Sequence, residues 1–363
     1  MRTQSLIMTA FVALVLVTGI ARPVAAQFYT QRNLVSSGSV SAEHVDPDLV
    51  NAWGLAAGPT TPWWISDNGT DVSTLYNGNT GAKGSLVVSV PSAPTGIVFN
   101  ADMAAFTVSN GTASAPARFI FATEAGRILA WSPQVSPVTQ AQIVVDQSGS
   151  GAVYKGLAIA TTSAGAFLYA TNFHAGTVEM YDSGFTLVAG GFTDSTLPPG
   201  YAPFGIQRIG DLIYVTYALQ GADQHDDVPG MGHGFINAFD TSGHLVRRVA
   251  SGGILNSPWG LALAPAAFGT FGGALLVGNF GDGAIHAFDP MHLLGNGEYV
   301  KLGPLHSSDG APIAIDGLRA LQFGNGSQAG AKDVLFFTAG PDGESHGLFG
   351  SLTPVAPQDK RNR

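Results

Sequence analysis

Apolar and polar positions recur along the chain in units of three or four short apolar runs separated by polar turns. Each unit opens with a glycine followed by an apolar residue. The six copies of this opening carry Gly54, Gly96, Gly156, Gly205, Gly260 and Gly317, spaced 42, 60, 49, 55 and 57 residues apart. Units of this length are typical of propeller blades and are too long for leucine-rich or helical repeats.

The second apolar run of each unit is continuous rather than alternating, which indicates a strand covered on both faces. In chain order these runs read WWISD, RFIFATE, FLYATNF, LIYVTYA, ALLVGNF and VLFFTAG. A turn rich in Gly, Asn and Asp follows, then a third run and, in most units, a fourth. Four strands repeated six times predict an all-β fold, a six-bladed β-propeller of four-stranded antiparallel blades. A β-sandwich or a pair of all-β domains is the alternative.

The last unit has only three runs, and the orphan segment QFYTQRNLV before the first unit can supply its fourth strand. We therefore expect the amino-terminal strand to close the last blade, which protects both sheet edges. The propeller is expected to form a single domain over residues 27–353. Its blades are expected at approximately 51–90, 94–146, 154–190, 201–250, 257–303, and 315–352 plus 27–35.

The innermost strands of a propeller line a central channel, so the residues just before the repeat glycines should form a ring at its mouth. In blade order this ring is predicted to contain Trp53, Thr95, Lys155, Phe204, Trp259 and Asp316. Opposite members are three blades apart, which places Lys155 across from Asp316 and Trp53 across from Phe204. The ring is either the floor of a small-ligand site or a plug of core side chains with a self-contained ion pair.

The turns between the second and third strands rise around the same mouth. In them Asn172, Asn279 and Asp282 are first of all turn formers, whereas His174 is less expected in a tight turn and is a candidate ligand or acid–base group. In the fourth unit this turn swells into residues 219–234, which contain the stretch ADQHDDVPGMGHG. We expect this insertion to overhang the channel mouth.

The loop over residues 219–234 concentrates five candidate metal ligands, Asp223, His225, Asp226, Asp227 and His233. Carboxylates suit calcium, and imidazoles suit a transition metal. Their spacing matches neither an EF-hand nor a zinc signature. A divalent cation, calcium rather than a transition metal, is therefore the cofactor the loop suggests, and a hydrogen-bonded lid or a plain solvated loop are the alternatives.

The amino-terminal residues predict export. Residues 1–26 combine a basic start, an apolar run and small residues before Ala26, which is the pattern of a secretory signal peptide cleaved after Ala26. A retained membrane anchor is the alternative, although the run is short for one. No other stretch is long and apolar enough to span a membrane, and residues 354–363 form a polar tail. The expected location is the periplasm or the exterior.

The net charge and the lack of cysteine limit which partners and which chemistry the chain can have. Removal of the signal peptide leaves 14 Lys and Arg residues against 25 Asp and Glu, a net charge of −11. An acidic chain argues against nucleic acid and against docking on anionic membranes. The chain has no cysteine, so disulfides and a thiol nucleophile are excluded.

Five blocks carry a resemblance to a known family: NAWGLA (51–56), QHDDVPGMGHGFINAFD (224–240), NSPWGLALAP (256–265), GALLVGNFGDGAIHAFDP (273–290) and LFFTAGPDGESHGLFGSL (335–352). With them the chain resembles a family of uncharacterised secreted bacterial propellers, related to NHL-repeat and gluconolactonase-like propellers. The resemblance implies the fold and export but no established reaction. Lactonases of the wider superfamily hold a divalent cation with a Glu and several Asn or Asp, and only Asp316 stands at such a position here.

Two functions from different classes fit these observations. An exported, monomeric binding or scaffold propeller would hold a small molecule or an extracytoplasmic protein on the mouth face and the loop over residues 219–234. A metal-dependent lactonase or esterase-like hydrolase would hold its ion near His174, Asn279, Asp282 and Asp316. A redox enzyme with a quinone-type cofactor above the aromatic floor is a third hypothesis.

Overall fold

The computed structural model describes residues 27–355, and this part of the chain consists of strands, turns and three short 3-10 helices. The 3-10 helices are Asn68–Thr70, Ser148–Ser150 and Gly269–Phe271. The strands, in chain order, are β1 (Phe28–Ser36), β2 (His44–Val45), β3 (Ala52–Ala56), β4 (Trp63–Asp67), β5 (Val72–Tyr76), β6 (Val88–Ser89), β7 (Pro94–Phe99), β8 (Thr107–Ser109), β9 (Ser114–Pro116), β10 (Phe119–Thr123), β11 (Arg127–Trp131), β12 (Gln142–Asp146), β13 (Tyr154–Thr162), β14 (Gly165–Asn172), β15 (Thr177–Tyr181), β16 (Leu187–Val188), β17 (Tyr201–Ile209), β18 (Leu212–Leu219), β19 (Phe235–Phe239), β20 (Leu245–Ser251), β21 (Pro258–Leu263), β22 (Leu275–Asn279), β23 (Ile285–Leu293), β24 (Tyr299–Pro304), β25 (His306–Ser307), β26 (Leu318–Phe323), β27 (Leu335–Ala339) and β28 (Leu348–Pro354).

Six antiparallel sheets follow one another along the chain as blades. From the inner strand outward, blades 1 to 5 have the orders β3-β4-β5-β6, β7-β10-β11-β12, β13-β14-β15-β16, β17-β18-β19-β20 and β21-β22-β23-β24. The inner strands β3, β7, β13, β17, β21 and β26 each contact the next, and β26 contacts β3 again. The prediction of a six-bladed propeller is therefore confirmed. A small hairpin of β8 and β9, inserted in blade 2, lies outside the predicted four-strand pattern.

Blade 6 joins the two ends of the described chain. Its order is β26-β27-β28-β1, and β1 pairs antiparallel with β28 from Tyr29 opposite Pro354 to Ser36 opposite Leu348. The side chain of Gln27 extends this pairing, since its Nε2 donates to the carbonyl of Val355 at 2.9 Å. The predicted closure of the last blade by the amino-terminal strand is thus confirmed.

The hydrophobic core lies between the blades, because each sheet is apolar on both faces and buries them against its neighbours. Residues of blades 2 and 3 form one continuous cluster, for example Ile120, Ile128, Tyr154 and Leu168. Blades 5 and 6 share another, which includes Phe268.

The repeat glycines mark where the inner strands approach most closely. A Cβ on Gly54 would lie 2.4 Å from the carbonyl oxygen of Thr95, and one on Gly205 would lie 2.1 Å from that of Trp259. A Cβ does not fit at these distances, so glycine lets the blades converge on the axis at these positions. Five of the six predicted glycines occupy this position.

The sixth position is held by Ala320 and not by Gly317, which corrects the predicted repeat. A Cβ on Gly260 meets the carbonyl oxygen of Arg319, the residue before Ala320. The hydrogen bonds agree: Ala320 N donates to Thr338 Oγ1, which donates to Trp53 O in blade 1. Gly317 lies in a turn instead, with a φ of +65° and its Cα packed against Gly340.

The predicted signal peptide, residues 1–26, lies outside the described residues, as does the tail from residue 356 onward. Within the described range, no helix combines the length and apolar character needed to cross a bilayer.

We expect Gly205→Ala to lower the free energy of unfolding by about 1–3 kcal/mol, because the new methyl group would clash with backbone rather than with a flexible side chain. Gly149→Ala is the matched control, since no atom lies within 4 Å of its added Cβ. Urea denaturation of both variants measures the difference. Equal stability of the two variants would show that the blade contact at Gly205 is not tight.

Candidate functional site

Three aromatic side chains close the channel at its mouth. Trp53, Phe204 and Trp259 are all buried, and the Trp53 ring stands edge-on to both others, with centroids 6.3 Å from Phe204 and 5.8 Å from Trp259. The predicted opposition of Trp53 and Phe204 is therefore present. Beneath them, at the level of the glycines, the channel narrows to a cavity of about 20 Å³, which is room for about one water molecule. The aromatic residues therefore form a plug that closes the channel at this end.

On one side of this plug, Lys155 is buried and fully engaged in ion pairs. Its Nζ donates to Glu124 Oε1 from the β10–β11 turn and to Asp226 Oδ1 at 3.1 Å from the overhanging loop. The ammonium also lies 5.2 Å from the Trp53 ring centroid, within the range of a cation–π contact. Burial opposes the ionisation of Glu124, but Lys155 and the amide of Asn68 outweigh it and lower the pKa of Glu124.

On the opposite side the structure places Arg319, not Asp316, and this corrects the predicted ring. Asp316 is exposed, and its Oδ2 accepts a hydrogen bond from Asp342 N at 2.8 Å in a turn. The physical reason is the shifted repeat of blade 6, in which Ala320 holds the glycine position and Arg319 therefore precedes it. Two cations, rather than an ion pair, face each other across the mouth.

The guanidinium of Arg319 is sandwiched between two aromatic rings. Its Cζ lies 3.9 Å from the Trp53 centroid and 3.4 Å from the Phe280 centroid, and its Nη2 lies 3.0 Å from Glu344 Oε1. Burial lowers the pKa of Arg319, and the carboxylates of Glu344 and Asp227 oppose that effect.

Two asparagines connect the cation sites into one network. Asn68 Nδ2 donates to Glu124 Oε2 at 2.9 Å, and Asn51 Nδ2 donates to both Asn68 Oδ1 at 3.0 Å and Glu344 Oε2 at 2.7 Å. Asn51 has a φ of 47°, a left-handed conformation that Asn tolerates better than most residues. The network therefore spans blades 6, 1 and 2 and leads to Lys155 in blade 3.

The loop over residues 219–234 covers the mouth, as its position in the repeat predicted, and its ionisable side chains point in different directions. Asp226 reaches Lys155, and His225 Nδ1 lies 2.9 Å from Asp226 Oδ1. Asp227 turns inward, and burial raises the pKa of its carboxyl, whereas the nearby hydroxyl of Ser257 and the charges of Arg319 and Lys155 oppose that rise. Asp223 accepts a hydrogen bond from the backbone of His225, and His233 Nδ1 lies 2.8 Å from the carbonyl oxygen of Val228. These last two side chains stabilise the loop itself.

Only part of the predicted metal set comes together. Two of the five predicted ligands, His225 and Asp226, offer ligand atoms within 4.8 Å of each other and of Glu124, which was not predicted as a ligand. Asp223, Asp227 and His233 are not part of that group. The Nζ of Lys155 is bonded to both carboxylates, so a divalent cation would have to displace a buried ammonium.

Two of the predicted turn residues serve their turns. Asn172 Oδ1 accepts from Ala175 N at 3.1 Å, and Asp282 Oδ1 accepts from Ala284 N at 3.0 Å. Asn279 instead binds the segment before β21, since its Nδ2 donates to the carbonyl of Ile254 at 2.8 Å. His174 is partly exposed beside Gly151. None of these four side chains contacts the network of Lys155 and Arg319 within the described residues.

Several buried polar atoms around the mouth have no hydrogen-bond partner in the described part of the chain. They are Asn51 Oδ1, Trp53 Nε1, Asp227 Oδ2, Ser257 Oγ, Trp259 Nε1, and Nε and Nη1 of Arg319. Buried polar groups are nearly always hydrogen-bonded, so a concentration of unpaired ones marks a place for water or a ligand.

The sequence analysis did not identify five members of this network, namely Asn51, Asn68, Glu124, Arg319 and Glu344. The sequence did contain a signal for Arg319. Arg-Ala-Leu at 319–321 matches the Trp-Gly-Leu motif of two other units, with alanine in place of glycine and arginine in place of tryptophan. The nearby Gly317 matches the repeat better, so the sequence analysis aligned blade 6 on Gly317 instead of Ala320.

No family model matches the chain. Two similar proteins come from Acanthamoeba polyphaga mimivirus. Uncharacterized protein R648 is 36% identical over 332 residues, covering 88% of this chain and 78% of that protein. Uncharacterized protein L690 is 35% identical over 337 residues, covering 88% and 84%. Both relatives are viral, so they give no support to the bacterial origin that the sequence resemblance implied.

Solved structures with the same fold include a gluconolactonase from Xanthomonas campestris, with a TM-score of 0.51, 14% identity, and coverage of 85% of this chain and 87% of that one. A catalytically inactive virginiamycin B lyase from Staphylococcus aureus, solved with quinupristin, has a TM-score of 0.51 and 12% identity, covering 91% and 100%. A protein of unknown function from Bacteroides thetaiotaomicron has a TM-score of 0.54 and 8% identity, covering 91% and 76%. At such identities the likeness shows the fold alone.

We expect Lys155→Met to lower the free energy of unfolding at pH 7 by about 3 kcal/mol, because Glu124 would be left buried without its cation. The lowered pKa of Glu124 means that its ionisation stabilises the native fold above the ordinary carboxyl pKa, and that this contribution is lost as the pH falls through the folded-state pKa. The deficit of the variant should therefore be largest at neutral pH and shrink in acid. Chemical denaturation at pH 7 and pH 4 measures it.

The double variant Lys155→Met with Glu124→Gln separates this charge effect from lost packing. It should recover part of the stability at pH 7, because no buried carboxylate is then unpaired. A deficit that neither acid nor Glu124→Gln reduces would contradict the ion-pair account.

Proposed function

The chain belongs to the family of the mimivirus proteins R648 and L690, and from the chemistry of its own side chains we propose that it is an exported ligand-binding propeller. The ligand we propose is a small hydroxylated molecule, such as a sugar or a sugar acid. It would lie above the aromatic plug and beneath the loop over residues 219–234.

The observation that carries this proposal is the state of Arg319. The side chain is 1% exposed, yet Nε and Nη1 have no partner among the described residues. A buried guanidinium with unused donors is costly unless something accepts from them. Stacking between Trp53 and Phe280 fixes its orientation, so the donors are preorganised for a ligand.

The chemistry of the other unpaired atoms favours hydroxyl groups. The indole N–H groups of Trp53 and Trp259 can only donate, Asp227 Oδ2 accepts when ionised, and Ser257 can do either. A hydroxyl both donates and accepts, so a ligand with several hydroxyls can satisfy this mixed set. The surrounding charges are also mixed, which favours a neutral or singly charged molecule over a polyanion.

A metal-dependent lactonase or esterase-like hydrolase has less support. Its ion would need several oxygen ligands at once, and the two nearest carboxylates, Glu124 and Asp226, are engaged by Lys155. The gluconolactonase and the virginiamycin B lyase share the fold with this chain at only 14% and 12% identity, which does not support a shared reaction.

The binding proposal predicts that saturation-transfer NMR with glucose and gluconate detects contact with the full mature protein. Arg319→Lys keeps the charge but removes guanidinium donors, and we expect it to weaken binding by about 10- to 100-fold, the value of a hydrogen bond to a charged group. Ser257→Ala should weaken it to a lesser degree.

Arg248→Lys is the matched control, because Arg248 also lies over an aromatic ring, at 4.9 Å from Phe235, and pairs with a carboxylate, that of Asp194. It lies in blade 4 with its Nε, Nη1 and Nη2 all bonded, so binding should be unchanged. Binding that responds equally to both arginine substitutions, or no signal with either sugar, would refute the proposed site.

Export is proposed from the sequence of residues 1–26. Cleavage after Ala26 would leave the closing strand β1 whole, since that strand begins at Phe28. Intact mass measurement of protein produced with its own amino terminus should give Gln27 as the first residue. A protein that retains residues 1–26 would contradict this proposal.

A further inference from the structure

A cleft between blades 1 and 2 opens on the face opposite the mouth. It has a volume of about 540 Å³ and is lined mainly by apolar side chains, among them Trp64, Phe99, Phe119 and Trp131. The volume lies within the range of small-molecule sites. The rim consists of the connection over residues 57–62.

The aromatic wall of the cleft is preformed. The rings of Trp64 and Phe119 are stacked with centroids 4.0 Å apart, and Trp131 lies 4.7 Å from Trp64. Trp131 Nε1 donates to the carbonyl of Val138 at 2.7 Å, which fixes its ring. The connection can reach Phe99 only because residue 58 is glycine, since a Cβ there would lie 2.6 Å from the Phe99 ring.

Two of the five other blades fill the corresponding space with an aromatic ring of their own. In blade 5 the connection between β21 and β22 inserts Phe268, which is fully buried, 5.0 Å from Phe323 at the end of the next inner strand and 4.8 Å from Tyr29. In blade 2 the connection inserts Phe106, which packs 5.2 Å from Phe185 of blade 3. Phe99 ends its inner strand as Phe323 does, but the connection over residues 57–62 reads AGPTTP and supplies no ring.

One cation stands at the edge of this cleft. The Arg118 guanidinium lies 4.6 Å from the Phe99 centroid, and its only side-chain hydrogen bond in the described residues is to the sulfur of Met103. It forms no ion pair with any described carboxylate, unlike Arg32, Arg127, Arg248 and Arg319.

We propose that this cleft is a second binding site, for a small aromatic carboxylate. The ring of the ligand lies in the cleft beside Thr60, against the wall of Trp64, Phe119 and Trp131, and its carboxylate pairs with Arg118. The proposal is independent of the site at the channel mouth.

Isothermal titration with 2-naphthoate and with its uncharged isostere 2-naphthamide tests the proposal on the full mature protein. We expect the acid to bind at least tenfold more tightly than the amide, and Arg118→Gln to abolish that difference. Thr60→Phe supplies the missing ring from the connection itself, and should block both compounds and raise the melting temperature.

Arg247→Gln is the control, because Arg247 also lies over an aromatic ring, 5.8 Å from Tyr299, at a distant blade. It should leave both affinities unchanged, and so should Arg319→Lys at the mouth. Equal affinity for acid and amide, an Arg118→Gln variant that keeps the preference, or a Thr60→Phe variant that binds as the parent does would each overturn the proposal.

Discussion

The close approach of neighbouring inner strands is the constraint on which the rest of the structure depends. At each contact the backbone of one blade meets a carbonyl group of the next at a residue with little or no side chain. Threonines on the second strands reinforce the contact, as where Thr171 Oγ1 accepts from Gly156 N and donates to Phe204 O. The residue before each contact points into the mouth. The close packing of the inner strands therefore also determines which side chains face one another at the mouth.

As a result of that geometry, two buried cations, Lys155 and Arg319, lie at the channel mouth beside the aromatic plug. Buried cations are costly unless carboxylates pair with them, and the turns of blades 2 and 6 supply Glu124 and Glu344. Asparagine side chains then join the two ion pairs, so a change at one reaches the other through hydrogen bonds. Donors of Arg319 remain unpaired among the described residues, and the proposed ligand site rests on them.

Much of the fold and a part of the site could be predicted from the sequence. Six repeats of apolar runs were sufficient for the propeller and its closing strand, and the order of the repeats placed Trp53 opposite Phe204. Blade 6 was misaligned because Ala320 is small enough to replace glycine, while Gly317 is required by a different turn. Within the loop over residues 219–234, adjacent residues Asp226 and Asp227 face different surroundings, and no periodicity governs side-chain direction in irregular backbone. Glu344 and Asn51 act through partners far away in sequence, which a repeat pattern does not reveal.

The pairing of β1 with β28 has a consequence for the order of events in folding. The side chain of Gln27 bonds a carbonyl 328 residues further along, so the segment of the ring that is synthesised first is paired last. Blades 1 to 5 can form from local hairpins while the chain emerges, but the ring stays an open arc with two exposed edges until its final strands are made. Completion of the ring therefore requires contacts between residues that are very far apart in sequence. Features that need a closed ring, including the facing of Lys155 and Arg319, depend on those contacts.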